Sequence, residues 1–356
     1  MKNKMKIIVG VIAAGVFIGA LALVLLLPSG RQTPHRFAFF IYDGNDTFIA
    51  EMLSQIISTM PPDIYFEVYD AGNSQSVQNR QIVDALDGGY DIFIINPVDR
   101  LASGSIVERV SREDIPIIFF NREPLLEALE GHENVFYVGA ATYSHGIKRA
   151  DLALDFFAGP YGSIMLGADG RAGLIILKGE HGHQDAEIRT ASSIDRLRER
   201  EFDVDILAIH SANWRRHDAF HAMRQLHIQF GNEIDILFSN NDDMALGAID
   251  YLLHAEIFTE GKQPHEQPFI IISVDGTPVG LDAVSRGLVY GTIQNDITGQ
   301  SDAILTLAYH IVTGRDMSEF PFPIVNGHFI YIYGDTITRE NVEFYLPPPI
   351  EVGVYE

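Results

Sequence analysis

Ten short apolar runs, separated by stretches of helical period, constrain this chain more than any other feature. From Arg36 onward, runs at Phe37–Tyr42, Ile64–Tyr69, Ile92–Ile95, Ile115–Phe120 and Val135–Val138 alternate with amphipathic stretches near 46–60, 76–88, 100–112 and 142–158. A second set follows at Leu174–Leu177, Val204–Ile209, Ile236–Phe238, Phe269–Val274 and Val289–Ile293, again with helical stretches between. Continuous rather than alternating hydrophobicity marks strands buried on both faces, and the intervening helices supply right-handed crossovers. The fold class is therefore α/β, with two similar doubly wound parallel-sheet lobes and a cleft between them. A helix near 298–313 and an extended run at Phe329–Tyr333 are too short for a third domain and return to the lobes already built.

Composition narrows the function. The chain has 356 residues, 47% of them apolar, enough for two domains. Its formal net charge is -23, and the first thirty residues hold Lys2, Lys4 and Lys6 with no acid, so the remainder carries -26. Such a surface repels phosphate backbones and argues against nucleic acid as a partner. The absence of cysteine excludes disulfides, thiolate metal sites and catalytic thiols, and removes the usual acceptor for a bacterial lipid anchor.

Residues 1–30 read as a signal peptide or membrane anchor. Three lysines precede an apolar run from Ile7 to Leu27, closed by Pro28-Ser-Gly30. A signal core spans ~7–15 residues and a membrane span needs ~20; the 21 residues here fall in the second range. A small-residue cleavage site at Ala20-Leu-Ala22 lies inside the run. The reading is export, with residues 7–27 retained as an inner-membrane anchor and the globular part periplasmic or otherwise extracytoplasmic.

Polar groups collect where strands end. The stretch Leu177-Lys-Gly-Glu-His-Gly-His-Gln-Asp-Ala-Glu-Ile-Arg-Thr190 leaves an apolar strand and enters a helix, which places His183, Asp185 and Arg189 at the junction. Asp185 and Arg189 are four apart, on one helical face; by themselves they also suit an ordinary exposed ion pair. Similar ends occur at Tyr42-Asp-Gly-Asn-Asp-Thr-Phe48, Phe119-Phe-Asn-Arg-Glu-Pro124, Ser211-Ala-Asn-Trp214, Phe238-Ser-Asn-Asn-Asp242, Val274-Asp275 and Ile293-Gln-Asn-Asp296. Any single Asp or Asn here suits a helix N-cap, worth ~1 kcal/mol. Seven such ends joined by two aromatics fit one site better, because sugar hydroxyls need planar multidentate donors and acceptors while sugar C–H faces pack on rings.

These signatures resemble the periplasmic D-galactose/D-glucose-binding proteins of bacterial ABC sugar transporters, within the type I binding-protein family, from about Arg36 to Phe344. The motif at 177–190 is long and particular; Asp-x-Phe at 46–48, Phe-Phe-Asn-x-Glu-Pro at 119–124, Asn-Asn-Asp-x-Met-Ala-x-Gly-Ala at 240–248 and Asn-Asp at 295–296 accompany it. The resemblance implies that Phe48 and Trp214 sandwich a pyranose ring and that Asp46 binds its 4-hydroxyl. Asn121, His183, Asp185, Arg189, Asn241, Asp275 and Asn295 would hold the remaining polar atoms. It implies a three-strand hinge at Tyr137–Ala140, Ile293–Asn295 and Asn326–Phe329. The lobes would then be 36–139 plus 295–326 and 140–294 plus 327–350. The expected function is a non-enzymatic receptor that delivers D-galactose or D-glucose to an ABC permease, with a chemoreceptor or sensor kinase as a further partner. The alternatives are a receptor for another monosaccharide such as a pentose, or a sugar-responsive regulator core, although no basic headpiece precedes the fold. A glycosidase would need a general acid, and pairing with Arg189 moves a carboxylate the wrong way.

One departure concerns cofactors. Relatives hold calcium in a loop corresponding to Met165, Gly167, Asp169, Arg171 and Gly173, with Asp235 as a distant ligand. So few side-chain oxygens predict no calcium site and no other cofactor.

Overall fold

The alternation of side chains along β1 (His35–Ile41) explains why the apolar runs are continuous. Phe37, Phe39 and Ile41 enter one hydrophobic cluster, and Ala38 and Phe40 enter another on the opposite face. The computed structural model describes residues 34–166 and 170–346. The targeting segment expected at 1–30 and the chain from 347 lie outside the described residues.

The elements of the first half are β1, α1 (Thr47–Thr59), β2 (Ile64–Asp70), α2 (Gln75–Ala85), β3 (Ile92–Ile95), α3 (Ser103–Val110), β4 (Ile117–Phe120) and β5 (Val135–Ala140). The second half contains α4 (Thr142–Ala158), β6 (Ala172–Lys178), α5 (Gln184–Glu199), β7 (Val204–Ser211), α6 (Arg216–Phe230) and β8 (Ile236–Ser239). It continues with α7 (Asp242–His254), β9 (Ile270–Asp275), α8 (Pro278–Ser285) and β10 (Gly291–Gln294). Then come α9 (Ile297–Thr313), β11 (Phe329–Ile332) and β12 (Thr336–Thr338). Two six-stranded sheets result, with strand orders β11-β5-β4-β3-β1-β2 and β12-β10-β9-β8-β6-β7. Strand order reverses between β1 and β3 in one sheet and between β6 and β8 in the other, so each sheet has a switch point where loops diverge and leave a crevice.

Helices cover both faces of each sheet. In the first, α1 and α9 supply Ile49, Met52, Ile56, Ile304 and Leu307 to one face, while α2 and α3 supply Ile82, Ile106, Val107 and Val110 to the other. In the second, α4 and α5 pack on one face through Ala150, Ala153, Phe156 and Leu197, and α6, α7 and α8 on the other through Met223, Met244, Leu252 and Leu281. Each Val, Leu, Ile, Met or Phe among them contributes about 1.5–3 kcal/mol when fully buried, and each alanine less.

Three details differ from the sequence reading. The runs at Ile64–Tyr69 and Val204–Ile209 form edge strands with one wet face, which accounts for Glu67 and Asp205 within them. The extended run at 329–332 pairs in parallel with β5, so it belongs to the first sheet and not to the lobe expected to begin again at 327. Only after it does the chain reach β12, which pairs antiparallel with β10. The third crossing is therefore at 333–335 rather than at Asn326–Phe329. The apolar pattern of Phe329–Ile332 suits either sheet, and the free edge of β5 takes it. The other two crossings run between β5 and α4 and between β10 and α9.

Candidate functional site

Two helix caps anchor the first lobe's and second lobe's contributions to one cavity. Asp46 caps α1, its Oδ1 accepting from the Ile49 amide at 3.0 Å, and Asn241 caps α7, its Oδ1 accepting from the Met244 amide at 2.9 Å. Capping uses one oxygen of each side chain, and the other polar atom is held by the cavity's own lining, Asp46 Oδ2 by the Tyr42 hydroxyl and Asn241 Nδ2 by the Trp214 carbonyl. The cap role and a place on the cavity wall, which compete when sequence alone is read, fall to the same residues.

The cavity is lined by Asp46, Phe48, Asn121, His183, Asp185, Arg189, Trp214, Asn241, Asp275 and Asn295, together with Tyr42 and Arg122. All ten residues expected from the sequence thus lie around one space. They come from the loops after β1, β4, β6, β7, β8, β9 and β10, at the carboxyl ends of strands of both sheets. Among the cavity's lining residues Phe48, His183, Asp185, Arg189, Asn241, Asp275 and Asn295 are all buried.

The polar groups are held by one another. Arg189 is 2% exposed; its Nη2 donates to Asp185 Oδ2 at 3.3 Å, its Nη1 to the Asn240 carbonyl at 2.8 Å, and Asp275 Oδ1 lies 3.7 Å from Nη1. Asp185 also accepts from Thr142 Oγ1 at 2.7 Å and from Gln184 Nε2 at 3.1 Å. This burial rules out the exposed ion pair left open by the sequence. Asn295 donates to Asp275 at 3.3 Å and accepts from Gln300 at 2.7 Å. Behind them Asp242 accepts from Ser273, both groups of Thr277, and Thr292 at 2.6–2.9 Å, binding α7 to β9 and β10.

Protonation follows from burial. His183 is held well below the usual histidine range by burial, then by Arg122 and Arg189. Its Nδ1 accepts from the Asp185 amide at 3.2 Å, so the neutral ring carries its proton on Nε2 and acts there as a donor. Burial pushes Asp275 well up and Asp46 up, with Arg189 opposing the first and the Tyr42 hydroxyl opposing the second.

The backbone is strained where the site is built. Asn121, Trp214 and Asp275 have φ of 60°, 66° and 132°, a region that costs ordinary residues about 1–3 kcal/mol. The Trp214 carbonyl accepts from Asn241 Nδ2 at 3.1 Å, and the indole stands edge-on to the His183 ring at 5.1 Å.

A match to the periplasmic binding protein domain over residues 37–316 accounts for both lobes and the cleft. The chain belongs to the periplasmic binding protein family. The D-galactose/methyl-galactoside binding periplasmic protein MglB of Haemophilus influenzae is 32% identical over 292 residues, covering 80% of this chain and 84% of that protein. A xylitol-binding protein of Mycolicibacterium smegmatis is 28% identical, covering 77% and 68%. Among solved structures, an ABC transporter solute binding protein of Bacillus halodurans with bound myo-inositol superimposes with a TM-score of 0.72 at 25% identity, covering 89% of this chain and 99% of that one. The family consists of solute-binding proteins rather than enzymes, and it is extracytoplasmic. Among the described residues no helix is long and apolar enough to cross a membrane, and the anchor expected at 7–27 lies outside them.

Two lining residues of this binding protein escaped the sequence reading. Tyr42 ends a buried strand, where an aromatic side chain is ordinarily core. Its hydroxyl donates to Asp46 Oδ2 at 2.5 Å. Arg122 sits inside the Phe119–Pro124 motif with its guanidinium 4.0 Å above the Tyr42 ring. A cation placed directly after a buried strand was the signal that could have found it.

The loop expected to lack calcium lies partly outside the described residues, at Gly167 and Asp169. Arg171 brings positive charge and pairs with Asp203 at 3.1 Å and with Asp205, while Asp235 accepts from the Gly173 amide at 2.7 Å. Among the described residues no group of three or more His, Asp or Glu side chains could hold a metal ion.

Glu123 supplies a pH dependence. Burial and repulsion from Asp185 in the other lobe push its carboxyl up to about 7, while the Tyr331 hydroxyl and Arg100 oppose the shift. Separating the lobes would relieve the repulsion from Asp185 and so lower the value. A raised value in the closed state means that closure is fully supported below the ordinary glutamate range and weakens as pH rises through about 7. The ratio of wild-type to Glu123→Gln affinity should fall about three- to tenfold between roughly pH 5 and pH 8, a full unit being worth about tenfold and this side chain being only part-buried. A ratio that stays flat across that range would rule the linkage out.

Proposed function

We propose that this chain is a receptor for a monosaccharide, D-galactose or D-glucose, which it encloses between its lobes and hands to an ABC permease. A single observation carries the reading: one aromatic from each lobe and eight polar side chains, picked out on different strand ends, line one buried cavity. That mixture matches a pyranose, whose C–H faces pack on rings while its hydroxyls take donors and acceptors in fixed directions. Arg122 and Arg189 each keep a buried Nε–H with no acceptor from the protein, and ligand oxygens would supply one. The galactose-binding relative, at 32% identity over most of both chains, favours an aldohexose over a pentose. The myo-inositol-bound neighbour also accommodates a six-carbon ring bearing hydroxyls. A chemoreceptor or sensor kinase is a natural second reader of the closed form. We propose as well that binding proceeds without calcium.

Trp214 is the only tryptophan in the chain. Titration with galactose or glucose should therefore shift the intrinsic emission of the purified protein and saturate. Silence with both, joined to a response to ribose, xylose, arabinose or xylitol, would keep the receptor and replace its ligand.

A further inference from the structure

We infer that Arg122 and Glu180 form a latch across the cleft that controls how long a bound ligand stays. The inference rests on the receptor reading above and adds to it a pair of residues that close the door. Arg122 is fixed within the first lobe: its Nη1 donates to the Val98 carbonyl at 2.5 Å, and its guanidinium lies on the Tyr42 ring, whose hydroxyl is bound to Asp46. Its Nη2 reaches the other lobe and donates to Glu180 Oε2 at 2.8 Å, in the turn that follows β6. Arg122 is thus poised in place before the lobes meet, and Glu180 completes the pair only when they do.

The position of the pair gives it a role beyond one more contact. Tyr42, Asp46, Arg122 and Trp214 line the inner cavity and also a second, outer cavity at the mouth of the cleft. Of these two cavities Glu180 lines the outer and not the inner. The ion pair therefore stands in the partition between ligand and solvent. The Arg122 side chain is 6% exposed and that of Glu180 44%. Such a half-desolvated, charge-assisted bond is stronger than a surface pair and remains open to screening by salt. Thr47 Oγ1 to Asp243 Oδ2, at 2.6 Å, is a second bridge between the lobes, but it joins no arginine and changes no charge.

Because the pair forms whenever the lobes meet, with or without a ligand between them, its loss should act on release more than on entry. Stopped-flow tryptophan emission with galactose or glucose reads both rates. Glu180→Gln, a change on an accessible turn, should raise koff about tenfold and leave kon within about threefold. Raising sodium chloride from about 0.05 to 1 M should raise the wild-type koff toward that of the variant and leave the variant's koff unmoved. An unchanged koff, or a loss confined to kon, would overturn the latch. If no sugar moves the emission, the receptor reading fails on its own, and the latch is read in the ligand-free protein by small-angle scattering. Glu180→Gln should then have the larger radius of gyration at low salt; equal radii would overturn the inference.

Discussion

Replacing Asp185 by alanine is expected to raise the dissociation constant for the bound sugar about a hundredfold. Arg189 is 2% exposed, and Asp185 is its nearest carboxylate, at 3.3 Å against 3.7 Å for Asp275. In the closed cleft, breaking the pair leaves the Arg189 charge buried without compensation, a cost of about 3–5 kcal/mol that opening to water relieves. Asp275 and the Asn240 carbonyl still attend Arg189, which places the effect at the lower end, about 3 kcal/mol, and each 1.4 kcal/mol is about tenfold. Thr142 and Gln184 would lose an acceptor as well. Thermal unfolding of the ligand-free variant separates the two contributions: a lowered midpoint reports the loss of the pair, and a further loss of the sugar-induced rise in midpoint reports the loss of binding. An affinity within about threefold of wild type would mean that Asp185 serves the helix and not the ligand.

Gly179→Ala is expected to weaken binding about thirtyfold without touching any polar contact. Gly179 follows β6, and a Cβ added there would lie 2.2–2.4 Å from three ring atoms of Trp214. No real side chain tolerates that separation. The indole cannot slide aside cheaply, because its backbone is held at a φ of 66° and its carbonyl is bound by Asn241. Losing the stacked ring removes the extra ~0.5–1.5 kcal/mol of an aromatic contact and much of its buried area, about 2 kcal/mol in all. The emission maximum of the ligand-free variant should shift as the indole moves. An unshifted maximum with full affinity would show that the ring has another way to reach the ligand.

Much of this was legible in the sequence, for reasons that particular residues make plain. The β1 run reads as a strand buried on both faces because Phe37, Phe39 and Ile41 serve one cluster while Ala38 and Phe40 serve the other. The site was legible because a doubly wound sheet puts its functional groups after strand ends, so seven polar strand ends could be read as one place before any distance was known. Two kinds of fact were hidden. Asp46 and Asn241 look like caps, and only the crevice shows that the same residues stand on the cavity wall. Phe329–Ile332 pairs with a strand far away in sequence and Tyr42 lies under the distant Arg122, and such contacts are decided by the free edge or cavity available rather than by local pattern. Arg122 lay in plain view inside a quoted motif, but its meaning depends on Tyr42 below it and Glu180 across from it.

The most direct test is a crystal structure of the protein grown with galactose or glucose. The account predicts a pyranose ring lying between Phe48 and Trp214, with its hydroxyls on Asp46, Asn121, His183, Asp185, Arg189, Asn241, Asp275 and Asn295. A sugar bound anywhere else on the molecule, with only water among those side chains, would contradict it.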